Sequence, residues 1–154
     1  MYTGNDLSDR VRIRNISVED ADALSRINSE ITRFGGAEVD FREIIEAQVE
    51  RSEGGVSFVA EVDGQVVGFM ISYVIYGGFG LEKGAWIATL GVAPEFMGQG
   101  IGRKLAVELL NVYREKGIKY IYTSVPWDSV DLLSFFKTLG FDRSDFINLE
   151  NKLE

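Results

Sequence analysis

Three glycines at alternate positions, Gly98, Gly100 and Gly102, separate an apolar run from a run with helical periodicity. Glycine adopts unusual φ angles at little cost, so this spacing lets successive backbone N–H groups turn toward a single point. A helix predicted to begin near Ile101 would direct the positive end of its dipole to the same point. The stretch therefore either binds an anionic group such as a diphosphate or forms only a tight turn between a strand and a helix.

The basic residues that follow the glycines bear on this choice. Arg103 and Lys104 lie in the first turn of the predicted helix, where the dipole disfavours positive charge. A bound anion would compensate for their placement, whereas in a plain turn they would simply be solvated.

Two well-known phosphate-binding patterns are absent. The P-loop requires G-x-x-x-x-G-K-[ST], which does not occur in the sequence. The dinucleotide-binding fingerprint requires G-x-G-x-x-G, whereas the spacing here is G-x-G-x-G. The loop therefore needs a different interpretation.

Hydrophobic periodicity on both sides of the loop predicts an α/β domain (mixed α+β) built around a mixed, mostly antiparallel sheet. Ser17, with an acid three residues later, forms a capping-box pattern that opens a helix. Asp63 and Gly64, between two apolar stretches, form a strong hairpin signal. Strands are predicted at 11–16, 56–62, 65–76, 85–92, 119–125 and 146–153, and helices from Ser17 to Gly35, at 40–51, from Ile101 to Gly117, and from Asp128 or Ser129 to Gly140.

The composition excludes several kinds of catalytic site. The 154 residues include no cysteine and no histidine, which excludes Cys–His and Ser–His–Asp sites, Cys/His zinc sites and disulfides, so no metal is predicted. A net charge of −8 disfavours a nucleic-acid partner; it is compatible with a cationic substrate such as an amine, and equally with a surface that serves solubility. The length predicts a single domain over 1–154, with 1–10 flexible, and the apolar runs are too short for a membrane helix. The lack of cysteine fits a cytoplasmic protein.

The stretch V-A-P-E-F-M-G-Q-G-I-G-R-K-L at 92–105 resembles the acetyl-CoA loop of the GCN5-related N-acetyltransferases (GNAT family), in which [RQ]-x-x-G-x-[GA] follows V-x-P. The stretch D-L-L-S-F-F-K-T-L-G-F at 131–141 is similar to the late helix of that family. The resemblance implies a central sheet with two splayed strands, flanked by about four helices. It also implies acetyl-CoA as co-substrate and an N-acetyltransferase in which an amine attacks the thioester directly. The alternative is a CoA-binding or regulatory module of the same fold that has little or no catalytic activity.

The resemblance further implies a set of residues that bind the coenzyme. The strand before the loop would bind the pantetheine arm, and the backbone of Leu90 would polarise the thioester carbonyl, which makes that backbone a catalytic group. The loop amides from Met97 to Gly102 would bind the diphosphate. The complete predicted set is Leu90, Gly91, Val92, Met97, Gly98, Gln99, Gly100, Ile101, Gly102, Arg103, Ser129 and Phe136.

The sequence departs from the family pattern at three of these positions. Met97 stands where arginine or glutamine is usual, and Ser129 stands where many members have asparagine. Phe136 replaces a tyrosine that is thought to protonate the departing thiolate. A thiol of pKa about 8.5 can leave unprotonated at modest cost, so these replacements weaken the expectation of activity without excluding it.

The general base is not evident, because the strand predicted at 85–92 contains no acid. Glu82, Asp128 and Tyr73 are candidates by location only, and water relayed to a more distant carboxylate is an equal alternative. For Asp128 a helix-capping role is the preferred interpretation, and for Glu82 an exposed hairpin position. The acceptor, which could be a small molecule or a peptide or protein amine, would be bound by the stretches 33–41 and 76–86. An exposed strand at the end of the chain would favour a homodimer.

Overall fold

Five strands form one sheet in the order β1-β2-β3-β4-β5. The structure, a computed structural model, describes residues 7–31, 39–51, 54–77 and 82–154. The first four strands pair antiparallel with their neighbours, and β4 pairs with β5 in parallel. The predicted mixed, mostly antiparallel sheet is therefore confirmed. The strands are β1 Val11–Asn15, β2 Phe58–Val62, β3 Gln65–Gly77, β4 Glu82–Val92 and β5 Ile121–Thr123.

Four helices of at least nine residues and one short helix accompany the sheet in the described part of the chain. The short helix, α1, occupies Leu7–Arg10, within the segment expected to be flexible. The longer helices are α2 Ala21–Ile31, α3 Phe41–Arg51, α4 Ile101–Glu115 and α5 Val130–Thr138. None of the described helices combines the length and the hydropathy needed to cross a membrane.

The capping box predicted at Ser17 is present and explains where α2 begins. The Ser17 hydroxyl accepts a hydrogen bond from the Glu19 N–H at 3.3 Å, and the Asp20 carboxylate accepts one from the Ser17 N–H at 2.8 Å. Asp20 is buried and also receives two hydrogen bonds from Arg14 at 2.8 and 2.9 Å. The box therefore also joins the start of α2 to β1 through an ion pair.

The hairpin signal is likewise confirmed. Asp63 and Gly64 have φ angles of 51° and 82°, the pair of positive values that a type I′ turn between antiparallel strands requires. The turn joins β2 to β3, whose 13 residues make it the longest strand described. Beyond the end of β2, β3 continues and pairs with β4 alone.

Apolar clusters cover both faces of the sheet. On one face α2 and α3 contribute Leu24, Ile27 and Ile45, which pack with residues of β3 such as Phe69 and Ile71. On the other face α4 contributes Leu105 and Leu109, at the helical spacing predicted from the sequence, and α5 contributes Phe136. The site described below lies where the second layer meets the ends of β4 and β5.

The strand predicted at 146–153 is wrong for the isolated chain. Residues 141–154 contain neither helix nor strand, and most of their side chains are exposed. The period-2 apolar pattern that suggested the strand is present, but no other described strand lies in hydrogen-bonding register with it. β5 is shorter than predicted because only Ile121–Thr123 remain paired with β4. The predicted helix end at Gly35 lies outside the described residues.

Candidate functional site

The glycine loop connects the end of β4 to the start of α4. The Ala93 N–H donates to the Val67 carbonyl at 2.8 Å, which fixes the end of β4 to β3. A short 3-10 turn, Pro94–Phe96, then leads into the loop. Gly98 and Gly100 have φ angles of 76° and 83°, so two residues of the loop occupy the left-handed region that favours glycine.

Six successive backbone N–H groups, those of residues 98–103, donate no hydrogen bond to any described residue. The first helical bond of α4 joins the Lys104 N–H to the Gly100 carbonyl at 3.0 Å, so the amides before Lys104 are left without intrahelical partners. The Met97 N–H donates to the Pro94 carbonyl at 3.3 Å, so it has a partner within the chain, and its contribution to a diphosphate site stays a prediction. The donor set therefore begins at Gly98 and ends at Arg103.

The three glycines do different things, although their spacing suggested one common role. A Cβ atom built on Gly98 or Gly100 would meet no atom within 4 Å, so these two positions border open space. Gly102 has no positive φ, and a Cβ there would lie 3.3 Å from the Phe135 ring. Gly102 thus allows α5 to pack closely on the first turn of α4, whereas Gly98 and Gly100 shape the cradle of amides.

Side chains around the loop hold it from two sides. The Gln99 side-chain amide donates to the Glu95 carbonyl at 3.3 Å, across the 3-10 turn. The Arg103 guanidinium donates to the Thr138 carbonyl at 3.4 Å, at the C-terminal end of α5. Arg103 is exposed, and it therefore adds positive charge at the rim of the cradle.

β4 and β5 separate just before they reach the loop. Their parallel ladder joins Ala85–Ile87 to Ile121–Thr123 and goes no further, and the Thr123 hydroxyl donates to the Ile87 carbonyl at 3.0 Å where it ends. At the same level the pairing of β3 with β4 shifts, which leaves Ala88 as an extra residue in β4. No backbone ladder therefore joins 88–92 of β4 to the chain that follows β5, and the space between these two segments is called the slot here.

The three predicted pantetheine-binding residues of β4 line one side of the slot. Leu90, Gly91 and Val92 pair with β3 on their other side, and the side chains of Leu90 and Val92 pack against the cluster under α4. A Cβ on Gly91 would lie 2.8 Å from the Phe69 ring, so glycine is required here by close packing. Binding of the pantetheine arm by these three residues stays a prediction.

The structure does not bring the candidate catalytic side chains together. Glu82 is the first residue of β4, eight residues before Leu90, which corresponds to roughly 26 Å along a strand. Its charge acts instead on Tyr122, whose pKa is raised first by burial and then by Glu82. Tyr73 pairs with Trp86, four residues or about 13 Å along the strand from Leu90.

The capping role predicted for Asp128 or Ser129 is not realised by either side chain. Ser129 occupies the N-cap position of α5, but its hydroxyl makes no cap hydrogen bond. The Asp128 carboxylate is exposed, and none of the hydrogen bonds among the described residues involves it. Both side chains therefore remain available beside the slot.

Phe136 is buried in the protein core. It is 5% exposed and makes edge-to-face contacts with Phe135 and Phe141, with ring centroids 5.2 and 5.1 Å away. This position offers no hydroxyl to protonate a leaving thiolate, and its ring packs α5 against the sheet. Its predicted contact with the coenzyme stays a prediction.

Two features near the slot were missed from the sequence. Trp127 lies in the loop between β5 and α5 and is 95% exposed, although tryptophan is usually well buried. Ser72, which pairs with Ile87 next to the extra residue of β4, is fully buried, and its hydroxyl lies 2.6 Å from that of Tyr113. A serine within the apolar run of β3 was a visible signal, but its partner, 41 residues away, was not.

The model of the family described as Acetyltransferase (GNAT) family matches residues 21–141. Among similar sequences, a mycothiol acetyltransferase from Amycolatopsis mediterranei (strain U-32) is 30% identical over 147 residues, which cover 90% of this chain and 48% of that protein. The chain thus spans about half the length of this relative.

Solved structures share the fold over nearly the whole chain. A possible acetyltransferase from Clostridium difficile 630 superposes with a TM-score of 0.77 at 18% identity, covering 94% of this chain and 98% of that one. The aminoglycoside N-acetyltransferase AAC(6')-Iy, solved in complex with CoA, superposes with a TM-score of 0.73 at 16% identity, covering 92% and 94%. At these identities the likeness concerns the fold alone.

Proposed function

This chain belongs to the acetyltransferase (GNAT) family, and from that membership we propose that it transfers the acetyl group of acetyl-CoA to an amine. The observation that carries the proposal is the row of six unpartnered amides at residues 98–103, placed where α4 begins. An anion bound there would satisfy these donors and gain from the helix dipole. The diphosphate of CoA is an anion of this kind.

The slot supports the same assignment. A ligand whose diphosphate lies on the loop would extend its pantetheine arm between β4 and the chain after β5, because the sheet is open there. The arm would add to the free side of β4 as a further strand does. Ser129 would offer its unpartnered hydroxyl to the arm from the start of α5.

The proposed reaction forms one bond and breaks one. The amine nitrogen bonds to the thioester carbonyl carbon, the carbon–sulfur bond breaks, CoA leaves as the thiolate, and the ammonium proton passes to solvent or to a base. A backbone N–H near Leu90 would stabilise the charge that develops on the carbonyl oxygen, an effect worth about 10²- to 10³-fold in rate. This contribution needs no histidine or cysteine, in agreement with the composition.

Deprotonation of the acceptor amine is the step for which the described side chains offer the fewest suitable groups. A lysine-like amine with pKa about 10.4 is uncharged in only about one of a few thousand molecules at pH 7. Of the three candidate bases, Asp128 is on a loop that borders the slot, whereas Glu82 and Tyr73 are displaced along their strands. We therefore propose Asp128, directly or through water, as the proton acceptor.

The acceptor is proposed from the relatives' names and from charge. The family relatives include a mycothiol acetyltransferase and an aminoglycoside N-acetyltransferase, so aminoglycosides and amine precursors of mycothiol are the first acceptors to examine. A net charge of −8 is compatible with attraction of such cationic amines. Trp127, exposed beside the slot, would serve as an apolar wall for the acceptor or the acyl group. A cytoplasmic location stays a prediction.

A thermal-shift titration tests the coenzyme site. Acetyl-CoA at about 100 times its Kd would stabilise the protein by roughly 2.7 kcal/mol. With an unfolding entropy of about 2.1 cal/mol/K per residue, this raises Tm by about 8 °C. S-acetylpantetheine, which lacks the diphosphate, is the matched control and should give a much smaller shift; equal shifts would show that the loop does not bind the diphosphate.

Thiol release then separates an enzyme from a binding module. Because the chain contains no cysteine, a thiol reagent reports only the CoA that is released, provided that the amine itself carries no thiol; an acceptor that does carry one is followed by the mass of its acetylated product. Turnover above background with at least one amine of the panel supports the acetyltransferase. If acetyl-CoA binds but no amine gives turnover, the alternative of a CoA-binding module is favoured, as the absence of a hydroxyl at Phe136 would allow.

A further inference from the structure

Three buried hydroxyl groups, those of Ser57, Ser72 and Tyr113, form one hydrogen-bonded cluster, called the hydroxyl network here. The Tyr113 and Ser72 hydroxyls lie 2.6 Å apart, and the Ser72 hydroxyl also donates to the Val56 carbonyl. Because a hydroxyl has one proton to donate, Tyr113 must be the donor of the bond to Ser72. The Tyr113 oxygen in turn accepts the Val56 N–H at 3.1 Å. The proposed reaction uses none of these groups.

The hydroxyl network replaces backbone pairing where the ladder between β2 and β3 stops. The ladder ends at Phe58, and its register, if continued, would place Val56 opposite Ser72. Residues in a hydrogen-bonded pair of an antiparallel ladder exchange both of their N–H···O bonds. Here the Ser57 hydroxyl binds the N–H and the carbonyl of Ser72, at 3.1 and 3.3 Å, and the other two hydroxyls bind those of Val56. Each of the four backbone groups is therefore bonded to a hydroxyl instead of to the opposite strand.

Ser72 is also the residue at which the pairing on the other side of β3 changes. The register of β3 with β4 shifts between Ile71 and Ser72, so that Ala88 is an extra residue, and the ladder of β4 with β5 ends at Ile87 beside it. Residues 66–72 are buried whichever face of the sheet they point to, so the apolar pattern of β3 does not by itself select one register. Ser72 is the one polar side chain among them, and a buried polar network whose members are all bonded specifies a single arrangement.

The direction of the Leu90 backbone follows from that of Ser72. The N–H and C=O groups of successive residues in a strand point alternately to its two sides. Those of Ser72 face β2, where the Ser57 hydroxyl binds them, so those of Met70, two residues away, face β2 as well. Met70 pairs with Leu90, whose own N–H and carbonyl therefore point away from β3 and toward the slot. Loss of the extra residue of β4 would move Leu90 by one position along β3 and turn these groups back toward β3.

We infer that the hydroxyl network positions the slot: by holding Ser72, it keeps the extra residue of β4 at Ala88 and so keeps the backbone groups of Leu90 facing the ligand. Ser57, Ser72 and Tyr113 are positioning residues, because they act on a ligand through β4 and not by contact with it. The inference rests on the proposed function, since the ligand in question is the thioester end of acetyl-CoA.

Paired substitutions at Ser57 isolate the effect of its hydroxyl. Ser57→Thr and Ser57→Val introduce side chains of nearly the same shape, and only threonine keeps a hydroxyl. Acetyl-CoA is compared with ADP, which has a diphosphate for the loop but no pantetheine arm for the slot. We expect Ser57→Val to raise the Kd of acetyl-CoA at least tenfold and that of ADP less than twofold, and Ser57→Thr to keep both within threefold of wild type. Equal losses for the two ligands, or equal effects of the two substitutions, would overturn the inference.

Tyr113→Phe repeats the test from α4 without adding an atom to the core. The control for a general loss of stability is Ile27→Val in α2, because Ile27 is fully buried on the opposite face of the sheet and lies outside the hydroxyl network. We expect amide exchange at 88–92 to be at least tenfold faster in Tyr113→Phe than in Ile27→Val, with exchange at 60–62 of β2 alike in the two. Exchange at 88–92 that matches the control, or that rises equally at 60–62, would show that Tyr113 does not fix the extra residue.

Binding by the wild-type chain separates the failure of this inference from that of the proposed function. If wild type binds neither acetyl-CoA nor ADP, both are wrong. If it binds both ligands and the variants keep the wild-type ratio of the two affinities, the coenzyme site stands and only the positioning role is wrong.

Discussion

Gly100 and Gly117 form a matched pair that can separate backbone strain from ligand binding. Both have positive φ angles, 83° and 77°, and a Cβ on either would meet nothing within 4 Å. Any residue with a Cβ, glutamate included, costs about 1–2 kcal/mol in the left-handed region, so Gly100→Glu and Gly117→Glu should lose similar stability. For 154 residues the unfolding entropy is about 0.32 kcal/mol/K, which converts this loss into a Tm lowered by about 3–6 °C.

The two positions differ in what they face. Gly100 is the N-cap of α4 and belongs to the row of free amides, whereas Gly117 follows the C-terminal end of the same helix. A glutamate at position 100 would add a carboxylate beside a diphosphate on the loop, and we take a separation of about 6 Å from one phosphate charge. At an effective dielectric constant of about 20 this repulsion is roughly 3 kcal/mol, or about a hundredfold in Kd.

Isothermal titration with acetyl-CoA, together with thermal unfolding of the unliganded proteins, measures both effects. We expect Gly100→Glu to bind about a hundredfold more weakly than wild type, and Gly117→Glu to bind as wild type does, while both lose comparable stability. If Gly100→Glu binds acetyl-CoA with unchanged affinity, the diphosphate does not lie on this loop. If both variants lose affinity equally, the loss reflects the fold and not the site.

Three further substitutions test interactions seen around the sheet. Burial alone would raise the pKa of Asp20, but the hydrogen bonds from Arg14 hold this pKa below its usual value of 3.8. The ionised carboxylate therefore stabilises the fold above pH 3.8. This stabilisation is lost as the pH falls through the pKa of Asp20 in the folded protein. Urea unfolding of Asp20→Asn should therefore show lower stability at pH 7 and a flatter decline below pH 4 than wild type, and parallel curves would contradict this. Tyr113→Phe removes the hydroxyl bonded to Ser72 and should cost about 1–3 kcal/mol in the same assay; an unchanged midpoint would mean that the buried bond contributes nothing. Thr123→Val removes the hydrogen bond to the Ile87 carbonyl that ends the β4–β5 ladder. This variant should lose about 1 kcal/mol of folding stability and bind acetyl-CoA more weakly. Unaltered stability and affinity would disprove the role of this hydrogen bond at the slot.

Most of the fold could be predicted because its signals are local. The capping box at Ser17 and the turn at Asp63 and Gly64 each depend on residues within three positions of one another, and each was placed correctly. The apolar spacing of α4 was also sufficient, because its buried residues face one sheet. Local chemistry and tertiary packing agree at these places.

The strand predicted at 146–153 shows where periodicity is insufficient. Its alternation of apolar and polar residues is typical of a strand, but a strand exists only when another strand supplies hydrogen bonds. The sequence carries no information on whether an edge is free to receive it. The length of β5 could not be predicted for a similar reason. Its ladder with β4 covers only Ala85–Ile87 and ends where Ala88 forms an extra residue in β4, which the apolar pattern does not reveal.

The structure differs from the predicted site in two details. Gly98, Gly100 and Gly102 were expected to act alike, yet the third is a packing position, because Phe135 lies against it. Met97 was expected to donate an amide, but a 3-10 turn already uses that N–H. Both differences arise from contacts with neighbouring segments, which spacing alone does not reveal. The acceptor stretches 33–41 and 76–86 fall partly outside the described residues.

The absence of histidine and cysteine becomes understandable once the site is seen to consist of backbone groups. Binding of a diphosphate requires donors at fixed positions, and in the proposed site the amides of 98–103 would supply them through two glycine dihedral angles and a helix start. Polarisation of a thioester carbonyl requires a donor on the free side of β4, and the divergence at Ala88 exposes that side. Only proton removal from the amine calls for a titratable group, and a single carboxylate or a water molecule is sufficient for it. If the proposed site is correct, we expect it to tolerate changes of loop side chains such as Met97 but not loss of the left-handed backbone at Gly98 and Gly100.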